Sequence, residues 1–109
     1  MKMVLHVSNS EQWPTAFANV RNFIQGIQGA KEVVVLVNGA VVKDLLKSSF
    51  LALYHEQDAF DFKFQVCSNA LRANEVDPDA LDKSMEVVPS GVVQLTLLQN
   101  QGFEFSLGR

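Results

Sequence analysis

Five consecutive residues, Val33-Val34-Val35-Leu36-Val37, constrain this chain most. In an extended strand, neighbouring side chains point to opposite faces, so this run is apolar on both. Such a strand is buried on both faces and belongs in the middle of a parallel sheet flanked by helices. The rest of the chain agrees, because strand-like and helix-like segments alternate along it, the pattern of successive βαβ units.

Reading outward from this run, strand one is expected at about Lys2–Val7 and strand two at Glu32–Val37. Between them Trp13-Pro14 opens a helix running to about Gln28, with Phe17, Val20, Ile24 and Ile27 on one side and Gly29 as its stop. Proline suits a first helical turn, where its missing N–H would have had no partner. Asn38-Gly39 then turns the chain into helical segments at about Ala40–Lys47 and Phe50–Ala59. Strand three, about Phe60–Cys67, alternates Phe60, Phe62, Phe64 and Val66 with Asp61, Lys63 and Gln65. One face is therefore buried, and the other is wet or meets something polar. Cys67 shares parity with the polar set.

A short helix follows over Asn69–Ala73, and Asp77-Pro78-Asp79 reads as an N-cap, a first-turn proline and a first-turn acid. Strand four is expected at Met85–Val88, then a helix from Ser90-Gly91 to about Gln101 with Val92, Leu95 and Leu98 as its buried stripe. Phe103–Leu107 forms strand five, an edge strand.

Composition narrows the functional classes. With 109 residues, 48% apolar and 19% charged, the chain reads as one folded domain spanning residues 1–109. The net charge is −3 with scattered Lys and Arg, so no nucleic-acid partner is expected. No apolar run approaches the roughly 20 residues of a membrane span, and no signal peptide is evident. A single cysteine cannot form an internal disulfide, and with two histidines it shows no zinc spacing. A reducing, cytoplasmic setting is the expectation.

In open α/β sheets ligands sit outside the carboxyl ends of the strands. That rule selects Ser8 and Asn9, Asn38 and Gly39, Cys67 to Asn69, and Pro89 to Gly91. Cys67 is the candidate catalytic residue. It precedes a helix start, where backbone N–H groups and partial positive charge favour a thiolate, and Arg72 adds charge if it folds back. The alternative is that it packs as a small hydrophobe. Ser8, Asn38, Gly39, Ser68, Asn69, Arg72, Ser90 and Gly91 are the candidate binding residues. Ser90-Gly91 offers amides to an anion, or is simply a helix cap. His6 is a base near the rim or a core histidine, His55 a solvated mid-helix residue, and Trp13 a ligand-stacking ring or a staple for the first helix. Asn19 and Asn22 share a helix side that is a solvent face or a subunit contact.

The string Cys67-Ser68-Asn69-Ala70-Leu71-Arg72 resembles the Cys-x-Asn-Thr-Leu segment of the DsrE/DsrF-like family of intracellular sulfur-transfer proteins. His6-Val7-Ser8, Trp13 with Asn19-Val20 and Asn22, Asn38-Gly39 with Val42 and Leu45, and Val88-Pro89-Ser90-Gly91-Val92 stand in the matching order and spacing. Ala70 departs from the motif's threonine. The resemblance implies a three-layer α/β/α fold whose five-stranded, mainly parallel sheet has the order 4-3-2-1-5. It also implies homo-oligomers, often trimers or hexamers, and a persulfide on the cysteine at position 67, exchanged with sulfur donor and acceptor proteins without metal or organic cofactor. A non-catalytic oligomeric module that binds a small molecule or anion is the alternative.

That strand order carries a packing consequence. Its first three crossovers run one way, so right-handedness sets their helices on one face, and only the last helix covers the other. One helix cannot cover five strands. The second helical segment of the Asn38–Ala59 connection, or more simply a second copy meeting Asp61, Lys63 and Gln65, is expected to complete the cover.

Overall fold

The computed structural model describes residues 1–107. Five strands, β1 (Lys2–Val7), β2 (Glu32–Val37), β3 (Lys63–Cys67), β4 (Met85–Val88) and β5 (Glu104–Leu107), form one sheet in the order β4-β3-β2-β1-β5. Every pairing is parallel. β2 is the middle strand, as its two apolar faces require. Each crossover carries a helix: α1 (Trp13–Gly26), α2 (Ser48–His55) after a 3-10 stretch over Ala40–Leu46, α3 (Ser68–Ala73) and α4 (Gly91–Asn100).

The two faces of the sheet bury different clusters. On one side Met3, Leu5 and Val7 of β1, Val33, Val35 and Val37 of β2, and Phe64 and Val66 of β3 pack with Phe17 and Val20 of α1, Phe50 and Tyr54 of α2, and Leu71 of α3. On the other, Val4, Val34, Leu36 and Val88 pack with Leu98 of α4 and with Phe103. The split is the one right-handed crossovers dictate. α2 lies with α1, so it does not help cover the second face, contrary to one of the sequence expectations.

Several boundaries differ for physical reasons. α1 ends at Gly26, and Ile27 is already extended. β3 begins at Lys63, not Phe60. Phe60 and Phe62 keep the parity of Phe64, but Phe62 is a half-buried loop residue whose ring lies 6.4 Å from both Phe17 and Tyr54. α2 starts at Ser48 and stops at His55, so that histidine ends the helix and is not inside it. The buried stripe of α4 runs through Gly91 and Leu98, with Gln94 and Leu95 partly buried, while Val92 is 70% exposed. β5 is an edge strand, with Phe105 exposed.

Candidate functional site

The sheet register brings the carboxyl ends of four strands to one rim. Val7 stands opposite Val37, Val37 opposite Val66, and Cys67 opposite Val88. The loops leaving these ends hold the residues picked out by position. Gln12 orders the first loop, its side-chain oxygen accepting the Ser8 and Asn9 backbone N–H groups at 2.7 and 3.1 Å. The second is anchored by the Asn38 N–H, which donates to the Val7 carbonyl at 3.1 Å.

Two glycines shape this rim for opposite reasons. Gly39 has φ +84, a conformation that L side chains rarely adopt, while a Cβ there would meet only the Ser8 carbonyl oxygen at 3.8 Å. Its requirement is backbone freedom. Gly91 has no such φ; a Cβ there would lie 2.8 Å from Asn38 Nδ2, 3.0 Å from Cγ and 3.3 Å from Cβ. Its requirement is space. The Asn38 side chain lies against Gly91 and is itself oriented, because its Oδ1 accepts the Gly39 N–H at 2.8 Å.

Cys67 closes β3 and stands immediately before α3, with extended backbone angles of φ −68 and ψ 120. Although it shares the parity of Gln65, its side chain belongs to the buried cluster on the α1, α2 and α3 side, at the strand end where the chain leaving β4 also arrives. There the Gly91 N–H donates to Sγ at 3.2 Å. The helix end at the sulfur is therefore the first residue of α4, which arrives from beyond the neighbouring strand. Sequence position pointed to α3 instead. The thiol is buried, with Cys67 3% exposed. Arg72 does not fold back onto it: its guanidinium is exposed and donates to the Asn69 side-chain oxygen. Ser68 and Ser90 are partly buried and Ser8, Asn9, Gly39 and Asn69 are exposed, so the rim loops are polar while the sulfur itself belongs to the apolar core. Ser90 occupies the N-cap position of α4 without a side-chain capping bond.

The polar face of β3 meets a polar partner. Gln65 is 5% exposed, and its Oε1 accepts from Gln94 of α4 at 2.9 Å. A cleft of about 410 Å³ opens beside this pair, lined by Lys31, Glu32, Asp61, Lys63 and Gln101 among others. It lies toward the amino ends of β2 and β3. A shallower hollow of about 280 Å³ lies between Ser10, Trp13, Asp44, Lys47 and Phe50. Cys67 lines neither.

The other candidates resolve plainly. Trp13 is buried against Phe17, Phe50 and Phe64, so it is the staple and not a stacking platform. His6 is half-buried beside Phe105, and burial holds its imidazole below the ordinary value. Asn22 is exposed and Asn19 partly so. Sequence reasoning missed Asp44, a buried acid that accepts from Ser10 Oγ at 2.5 Å, Trp13 Nε1 at 3.0 Å and Lys47 Nζ at 2.9 Å. Burial pushes its carboxyl up, and the bonds from Ser10, Lys47 and Trp13, with the Lys47 charge, more than offset this and hold it below the usual range. The signal was an acid set among Val41, Val42 and Leu45, together with a core tryptophan whose N–H needed an acceptor. Among the described residues no group of three or more His, Cys, Asp or Glu is placed to hold a metal. No helix there is long and apolar enough to cross a membrane.

No protein-family model matches the sequence, and no curated protein matches it significantly. Among solved structures, the chain is similar to the protein of unknown function MTH1491 from Methanobacterium thermoautotrophicum. The likeness covers 97% of each chain, with a TM-score of 0.86 and 26% sequence identity.

Proposed function

We propose that this chain is a sulfur-relay protein of the DsrE/DsrF-like kind that carries sulfur as a persulfide on Cys67. The observation that carries the reading is the Gly91 N–H directed at Sγ from the start of α4. A backbone donor on the sulfur fixes the position of the group that must attack. The motif around Cys67 and the strand order 4-3-2-1-5 support it as well. A sulfur carrier needs a placed thiol and no ligand cavity, and Cys67 lines neither of the two hollows described above.

The chemistry is an exchange without net oxidation. The Cys67 thiolate attacks the outer sulfur of a donor persulfide. A bond forms between the two sulfurs, the donor's own S–S bond breaks, and the donor leaves as a thiolate. The proton on the transferred sulfur travels with it. An acceptor thiolate then attacks that outer sulfur and releases the Cys67 thiolate. Because the thiol is covered, its surroundings must open for each encounter.

Intact mass spectrometry after incubation with a small-molecule persulfide tests this. The expected result is the mass of one sulfur atom added, mapped to Cys67 by fragmentation and absent from Cys67→Ala. No addition to the native protein, under conditions where the unfolded protein does react, refutes it.

The burial of Cys67 favours one second reading, in which the thiol is structural and the rim loops bind a small molecule or anion. A thermal shift with sulfate, phosphate or nucleotides that persists in Cys67→Ala supports that reading, since a ligand binding only the folded state raises apparent stability.

In either case we propose a homo-oligomer, a trimer or hexamer. Support comes from α4 standing alone over the second sheet face. Val92, Val93 and Leu97 on its outer side and Phe105 beside it are exposed at 70, 57, 47 and 41%. Apolar surface gathered on one face marks association sites. Light scattering at micromolar concentration should show more than one chain per particle. A monomer refutes the proposal.

A further inference from the structure

We propose that His55 is a proton-operated clasp: as an imidazolium it ties the segment leading into β4 to the end of α2. Its ring sits between two acids. Nδ1 lies 3.2 and 3.3 Å from the two Asp58 carboxylate oxygens, and Nε2 lies 2.8 Å from Asp82 Oδ2. A carboxylate only accepts. A neutral imidazole offers one N–H and one lone pair, so it satisfies one of these acids and turns its lone pair toward the other. The imidazolium donates to both.

Asp82 is held ready for this bond. Its Oδ1 accepts the Ser84 backbone N–H at 3.0 Å and the Ser84 hydroxyl at 2.7 Å. With its proton so committed, Ser84 Oγ accepts from the Tyr54 hydroxyl at 2.6 Å. The segment before β4 is thus docked on α2 through two adjacent residues, Tyr54 and His55. The Tyr54 link has no charge to lose at neutral pH, because burial pushes its phenol further up. The His55 link does.

The charged groups acting on the ring are Asp58, from the turn after α2, and Asp82, from the segment before β4. The Tyr54 ring meets it edge-on at 5.2 Å. The Asp58 hydrogen bond, then those of Asp82 and both charges, outweigh desolvation and raise the imidazole above 6.5. Ser84's two hydrogen bonds hold the Asp82 carboxyl below its ordinary value, so that acid stays ionised. A raised folded-state value fixes the sign. The clasp is fully closed below the unfolded histidine's titration and is lost as pH rises through the folded one. It acts just before an edge strand that among the described residues pairs with β3 alone, between the buried anchors Leu81 and Met85.

The test is an NMR titration of both histidines, combined with amide exchange at Ser84 and Met85 normalised to intrinsic rates. His55 is expected to titrate above 6.5, and His6 below it as an internal contrast. Normalised protection of the two amides should fall about two- to five-fold as His55 deprotonates, the range open to an exposed ion pair. In His55→Gln, which donates without titrating, that pH dependence should vanish, and Asp82→Asn should lower the His55 midpoint. A His55 midpoint at or below 6.5, or unchanged pH dependence in His55→Gln, overturns the proposal.

Discussion

Replacing Gly91 with alanine isolates the contact that seats α4 over the sulfur. The backbone of Gly91 lies outside the left-handed region, so alanine is compatible with it, and at a helix position alanine is favoured over glycine by up to about 1 kcal/mol. A reading from propensity alone therefore expects stabilisation. Packing opposes this. The new methyl would stand 2.8 Å from Asn38 Nδ2 and 3.3 Å from Asn38 Cβ. The Cβ is fixed by the backbone of the rim loop, so rotating the amide does not clear the methyl. Rotation also gives up the bond from the Gly39 N–H, worth about 0.5–1.5 kcal/mol. Overpacking a tight site costs about 1–3 kcal/mol. Steric strain wins, and we expect Gly91→Ala to destabilise the protein by about 1–2 kcal/mol.

Urea denaturation reads this as a lower midpoint with an unchanged slope. The partner is identified by a double-mutant cycle, since coupled neighbours are non-additive. In an Asn38→Ala background the methyl has room, and Gly91→Ala should be near neutral or stabilising. If Gly91→Ala is as stable as the parent with Asn38 intact, the close approach of Asn38 to α4 is wrong. The seating of the Gly91 N–H on Cys67 then loses its support.

Three further outcomes follow from burial. Val35→Ala should lower stability by about 1–3 kcal/mol and Val35→Asp should prevent folding, because the residue is fully buried in the middle strand; soluble, folded Val35→Asp would contradict that placement. Asp44→Ala should cost about 1–3 kcal/mol by leaving the buried Trp13 N–H without its acceptor, and urea midpoints against pH should show the carboxyl's own contribution. Its folded-state value is depressed, so that contribution is present above the unfolded value and disappears as pH falls through the folded one; an acid limb unchanged in Asp44→Asn would refute this. Iodoacetamide should label Cys67 far more slowly in the native state than in urea, and Gly91→Ala should speed native labelling by loosening the cover; equal rates for native and unfolded protein would mean that the sulfur is open.

Where periodicity is strong, local pattern decided the fold. β1, β2 and β4 fall at Lys2–Val7, Glu32–Val37 and Met85–Val88, the bounds the sequence pattern implies, and the apolar run of β2 is the clearest of the three. The full strand order is a different matter. Parity and hydropathy place β2 centrally, but nothing local says that β5 returns beside β1; that came from resemblance. The alternation over Phe60–Cys67 overshoots β3 by three residues because a loop aromatic that packs on the core keeps the same parity as a strand aromatic. Hydropathy puts the start of the α4 stripe at Val92 because glycine carries no hydropathy signal, although Gly91 is the residue that makes the close approach.

The site shows the same limit more sharply. Position at the end of β3 found Cys67, and the following residues suggested that α3 and Arg72 would act on it. The group on the sulfur is instead Gly91, 24 residues away, and Arg72 is engaged with Asn69. Sequence proximity stood in for spatial proximity, and in a parallel sheet the two diverge. Strands β3 and β4 are register neighbours, with Cys67 opposite Val88, so the chain leaving β4 passes directly over the end of β3. The start of α4 therefore reaches the cysteine because of the pairing, whatever residues α3 contains. This also explains why a small residue at 91 and a short amide at 38 belong to the site as much as the cysteine does. One lets the helix approach, and the other limits how far it does so.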